Sequence, residues 1–125
     1  METTMTKIIT LLTLSILSFG INASAVAIYT CDLEEGKTLD EVKAANSKWV
    51  KAVNNLYESE VSSYVLEPIV SPDMEGFTFI DTYADEVAWA TVNREIRSGA
   101  LSELSDLFEG LSECPSVTLH NSEES

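Results

Sequence analysis

The chain has 125 residues, with 21 acidic against 7 basic side chains for a net charge of −14, two cysteines, one histidine and 45% hydrophobic residues. A chain of this length builds one small domain with a modest core, which excludes a multi-domain enzyme. The basic residues are interspersed with carboxylates, whereas neutralising a phosphate backbone needs clustered Lys and Arg, so nucleic acid is not an expected partner.

Lys7 precedes the apolar run Ile8 to Phe19, and the small residues Ala23-Ser24-Ala25 follow. This order of charge, apolar core and short side chains predicts an export signal over 1–25, cut after Ala25 or Ala27. The apolar core of about 12 residues is short of the roughly 20 that a membrane span needs. Ile28-Tyr29-Thr30 before Cys31 is not the small-residue approach of a lipid-modified cysteine, so no stable membrane anchor is expected. The predicted domain is 26–119, periplasmic or secreted, followed by a flexible acidic tail over 120–125.

Residues 26–33 are β-prone and read as a first strand ending at Glu34-Glu35-Gly36. Thr38-Leu39-Asp40-Glu41 has the Thr-x-x-Glu form of a capping box. From it Leu39, Val42, Ala45, Trp49, Val53 and Leu56 recur at three- and four-residue steps, one apolar stripe of a long helix. Residues 62–70 predict a second strand, with Pro68 suited to an edge or bulge. After a turn over 71–76, Phe77, Phe79, Asp81 and Tyr83 alternate along a third strand, and the two strands form a hairpin. Asp85 can cap a second helix whose stripe is Ala88, Trp89, Val92 and Ile96, stopped at Ser98-Gly99. Leu101, Leu104, Leu107, Phe108 and Leu111 continue the helical period, and 117–119 closes the domain as a last strand.

The order strand, helix, strand, strand, helix, strand predicts an α+β, ferredoxin-like βαββαβ sandwich, an antiparallel sheet with helices on one face. In that topology the end of the first strand meets the start of the last. Cys31 and Cys114 occupy those two ends, and in an exported chain with two cysteines they are the one possible intramolecular disulfide. Helices cover one sheet face only, yet the second and third strands carry apolar residues on both: Tyr64 and Leu66 against Val65 and Ile69, Phe77 and Phe79 against Ile80. The uncovered face predicts a homodimer with sheets packed face to face, a dimeric α+β barrel.

Cys31-x-x-x-Glu35-Gly36-Lys37-Thr38, Trp49, Leu66-x-Pro68, Phe77-x-Phe79-Ile80, Ser98-Gly99 and Cys114 together resemble a group of exported bacterial proteins of ferredoxin-like or dimeric α+β barrel type. The chain departs from that group at Asp81-Thr82-Tyr83-Ala84, where the others place a Trp-containing, glycine-bearing stretch. The resemblance implies the fold and brings no activity with it.

By analogy of fold, dimeric barrels include cofactor-independent monooxygenases and small isomerases, and a site between sheet and helices makes Tyr64, Asp81, Tyr83, Trp89 and Arg94 the candidates. Asp81 interrupts an apolar strand face, as a general base or a partner of Arg94 or Arg97 would. The bland alternative is a solvated strand-end Asp. A core filled by Trp49, Trp89, Phe77 and Phe79 would leave no room for such a site. No cofactor or metal is expected, because His120 lies in the predicted tail and the carboxylates of Asp32-Glu34-Glu35 and Asp73-Glu75 lack the spacing of a calcium loop. No Gly-rich phosphate loop, Gly-x-Ser-x-Gly elbow or His-Glu-x-x-His pair occurs. The expected function is a small exported domain that binds a small apolar ligand or a partner, with a cofactor-independent barrel enzyme as the alternative.

Overall fold

A computed structural model of the chain describes residues 24–124 apart from 73 and 100. The predicted export signal lies outside the described residues except for Ser24 and Ala25. Seven elements follow in order: β1 (Ser24–Leu33), α1 (Leu39–Tyr57), β2 (Ser62–Leu66), β3 (Gly76–Tyr83), α2 (Glu86–Ser98), the single turn α3 (Ser102–Ser105) and β4 (Ser112–Ser122). The sheet runs β2-β3-β1-β4 with every neighbour antiparallel, the ferredoxin-like topology, and the helices cover one face. Among the described residues no helix is long and apolar enough to cross a membrane.

Local chemistry starts and stops these elements. Thr38 and Glu41 form the capping box: the Glu41 amide donates to the Thr38 hydroxyl at 3.3 Å, and the Thr38 amide to the Glu41 carboxylate at 3.0 Å. Asp85 caps α2 by accepting from the Ala88 amide at 2.8 Å, and Gly99, at φ 84°, ends it in the left-handed conformation that glycine tolerates. Beyond the α1 terminus the Asn54 side chain brackets Val61, donating to its carbonyl at 3.0 Å and accepting from its amide at 2.9 Å. That bracket sets where β2 begins, and so which of its residues face inward.

Register then sorts the side chains. Val65, Phe79, Tyr29 and Val117 form one row across the four strands on the helix side, and Ser63, Asp81, Ala27 and Leu119 form the next. On the uncovered side the rows are Tyr64, Ile80, Ile28, Thr118 and Leu66, Thr78, Thr30, Ser116. The inward residues make two core clusters, one around Ala25, Ala27, Trp49, Val53, Tyr83 and Val92 and the other around Cys31, Val42, Phe77 and Phe79. Tyr29 and Phe108 pack against both.

Cys31 and Cys114 are disulfide-bonded at 83 residues of separation. The β1–β4 register shifts there: Thr30 pairs with Ser116 but Asp32 with Glu113, so Cys31 stands opposite both Cys114 and Pro115. This is a bulge, and it accommodates a proline that has no amide to give the ladder.

Several boundaries differ from expectation: β1 begins at Ser24 rather than 26, and β4 at Ser112 rather than 117. β2 stops at Leu66 rather than 70, because Pro68 cannot continue the ladder. The helical period from Leu101 yields only α3, followed by i→i+3 turns through Leu111, including Leu107 to Leu104 and Phe108 to Ser105. The predicted tail is partly strand: His120, Asn121 and Ser122 pair with Val26, Ala25 and Ser24. Cross-strand pairing satisfies their backbone groups, and polar composition gives no sign of that.

Candidate active site

At the seam between the two core clusters a cavity of about 400 Å³ remains open. Trp49 of α1, Phe79 of β3, Tyr29 of β1 and Phe108 give it aromatic walls, while Asn46, Asp81 and Asn93 supply polar groups. The volume falls within the range of small-molecule pockets, and the lining is largely apolar with a few polar atoms. Phe79 organises the wall: its ring meets Tyr29, Phe77 and Phe108 edge-on at centroid distances of 6.5, 5.1 and 5.9 Å.

Asp81 is the buried carboxylate of the cavity wall. Strand alternation points it inward between Phe79 and Tyr83, and only 6% of its surface is exposed. Its carboxylate accepts a hydrogen bond from the hydroxyl of Ser63, its cross-strand neighbour. The single Ser63 proton being given to Asp81, the same oxygen accepts from Asn46 Nδ2 at 2.9 Å. The polar chain therefore runs Asn46 to Ser63 to Asp81, fixing one carboxylate oxygen.

Electrostatics follows from burial. Desolvation raises the Asp81 carboxyl from the usual 3.8 to about 6, and the Ser63 hydrogen bond pulls it partly back. Burial, then the nearby Asp81 charge, pushes the Tyr29 phenol up to about 12, and the same causes together with Tyr29 itself raise Tyr83 further. Both phenols are thus neutral donors near neutral pH, and Asp81 is the group that changes state there. Among the described residues no cation pairs with Asp81.

The sequence candidates separate accordingly. Asp81 and Tyr83 are brought together, and the solvated-Asp alternative does not hold. Tyr64 lies on the opposite face of the sheet and is 59% exposed, because the Asn54 bracket gives β2 the parity that turns Ser63 and Val65 inward. Arg94 is exposed on α2, off the cavity wall. Trp89 and Phe77 pack into the two clusters without lining the cavity, which is why Trp49 and Phe79 leave it open. Tyr29, Asn46, Ser63 and Asn93 were not among the candidates. Counting back by two from Cys31 would have placed Tyr29 inward; for the other three no local pattern points to the site. His120 is exposed on β4, 2.9 Å from Thr118 Oγ1, and no carboxylate, cysteine or histidine group among the described residues could hold a metal ion.

No known family matches this sequence, and neither does any curated protein. Solved structures do resemble it. SnoaB of Streptomyces nogalater, a cofactor-independent oxygenase, superposes with a TM-score of 0.59 at 11% identity over 82% of this chain and 96% of that one. A Bacteroides thetaiotaomicron protein described as a possible oxidoreductase gives 0.51 at 13% identity over 83% and 100%, and At3g17210 of Arabidopsis thaliana 0.51 at 14% over 82% and 95%. These likenesses establish the fold. It is that of the dimeric α+β barrel proteins.

Proposed function

We propose that the cavity binds a small, largely apolar molecule bearing one acidic hydroxyl or C–H group, and that Asp81 accepts that proton. The observation that carries this reading is a carboxylate without a cation, almost fully buried beside an open aromatic cavity, with one oxygen held by Ser63 and an affinity for protons tuned to near-neutral pH.

A second reading goes one step further and is favoured by the likeness to an oxygenase that needs no cofactor. A carbon acid in the cavity gives its proton to Asp81; the electron pair left on carbon bonds to dioxygen; the proton then passes to the outer oxygen, and the product is a hydroperoxide. Tyr29, a neutral donor on the cavity wall, would stabilise the developing negative charge.

Trp49 lines the cavity and Trp89 does not, so Trp89→Phe leaves one reporter. Addition of 4-nitrophenol to that variant is expected to quench Trp49 saturably, with an affinity that shows, besides the step from the probe's own ionisation, a second step with its midpoint at about 6. Introducing Asp81→Asn should abolish that second step and leave the probe's own. Quenching that never saturates, or the same second step without the carboxylate, would overturn the assignment.

The partner and location follow by proposal as well. The uncovered sheet face, with Tyr64, Leu66, Ile28 and Ile80 across its rows, would be covered by a second copy, as in a dimeric α+β barrel. Export is supported by the disulfide. Ala25 and Ala27 are both fully buried in β1, which favours the cut after Ala25: it keeps Ala27 but costs the core Ala25 and takes the β1 partners of Tyr83, Asn121 and Ser122, whereas the later cut removes both core alanines.

A further inference from the structure

Four of the chain's seven basic residues fall between Lys37 and Lys51, and folding gives two of them a common setting. A groove of about 420 Å³ between α1 and the edge strand β2 is lined by Lys43, Asn46, Ser47, Lys51 and Ser63, with Val50, Tyr64 and Val65, and by no carboxylate. In a chain with 21 acids that is a selective lining. Lys43 and Lys51 stand eight residues apart on one helix, about 12 Å along its axis, with Ser47 midway, so both ammonium groups can reach one point above its hydroxyl. Lys43 meets Glu67 at 3.9 Å, both side chains being about half exposed or more, a contact too weak to occupy the lysine. Lys51 has no ion pair among the described residues.

The groove is also wired to the cavity behind it. Asn46 lines both, Ser63 lines the groove, and Ser63 holds the Asp81 carboxylate. We propose that this groove binds a small oxyanion, the carboxylate or phosphate group of a ligand, between Lys43 and Lys51 with the Ser47 and Ser63 hydroxyls as donors, and that Ser63 transmits its presence to Asp81. A Ser63 hydroxyl turned toward the anion no longer donates to Asp81. Loss of that bond and the added negative charge both favour the protonated carboxyl. The titratable groups that act on Asp81 are Tyr29 of β1 and Tyr83 of its own strand; Asn46 and Trp49 of α1, Asn93 and Ile96 of α2 and Phe108 line the same cavity without charge, and among the described residues no cation pairs with Asp81. The transmission rests on Asp81 being the cavity's proton acceptor; the anion site does not.

The test is a ¹H–¹⁵N NMR titration of the disulfide-bonded protein with inorganic phosphate and, separately, acetate, at ionic strength fixed by chloride. Saturable shifts at the amides of Ser47 and Ser63 are expected, with affinity falling roughly tenfold or more in Lys43→Gln/Lys51→Gln and unchanged in Lys48→Gln, whose site is off the groove. The stronger of the two anions identifies the headgroup. At saturation the Asp81 carboxyl should titrate about half a unit higher or more, and not in the double variant. Shifts that do not saturate, or survive in the double variant, overturn the site; saturable shifts with the Asp81 midpoint unmoved overturn the transmission. The nitrophenol quenching of Trp49 reads the cavity separately, so a failure of that reading is distinguishable from a failure of this one.

Discussion

Replacing Asp81 by Asn should make the protein more stable, and increasingly so as pH rises. The native carboxyl titrates at about 6 against the usual 3.8, so between these values the folded state holds a proton that the unfolded chain has released. Stability then falls as pH rises through this window, because the unfolded state binds fewer protons. A difference of about two units at 1.36 kcal/mol each amounts to about 3 kcal/mol lost by pH 7. The amide variant cannot ionise and keeps an acceptor for the Ser63 hydroxyl. Urea unfolding of both proteins from pH 4 to pH 8 removes the background of the other carboxylates, which the two share. The variant should gain on the native chain by about 3 kcal/mol between pH 4 and pH 7 and hold that gain above. A constant gap, or one that closes with pH, would refute the claim that an unpaired, desolvated carboxylate sits in the cavity.

Ser63→Ala removes the one hydrogen bond that draws the Asp81 carboxyl down, so the upper edge of the window should rise above pH 6 in the same unfolding series while the lower edge stays at the unfolded value, with about 1–3 kcal/mol lost besides. Cys31→Ser/Cys114→Ser opens a closure of 83 residues; chain entropy puts the cost at up to about 4–5 kcal/mol, and an unchanged urea midpoint would contradict it. Ile80→Asp places a charge at the centre of the uncovered face, where Tyr64 and Ile28 flank it. Light scattering should show a native mass of two chains and a variant mass of one, and a monomeric native chain would refute the proposed dimer.

What the sequence made legible is what local chemistry encodes. The Thr38 capping box and its apolar stripe yield α1, alternation along 77–83 turns Asp81 inward, and the two cysteines at strand ends agree with the topology. Parity in β2 was not legible: Tyr64 and Leu66 are as apolar as an inward face, and with both faces of the strand apolar a period of two cannot say which is buried. The deciding contact is the Asn54 bracket on Val61, seven residues apart and across a turn. Asn46 and Ser63 were invisible for a related reason, since a polar residue on a stripe or strand has meaning only once its partner 17 residues away is known. Arg94 illustrates the converse: an attractive charge on paper that α2 holds at the surface.

The most direct measurement is a ¹³C NMR titration of the Asp81 carboxyl carbon from pH 3 to pH 9, with and without 4-nitrophenol. The account predicts one step with its midpoint at about 6, displaced when the probe occupies the cavity. A midpoint at the ordinary 3.8, indifferent to the probe, would contradict it.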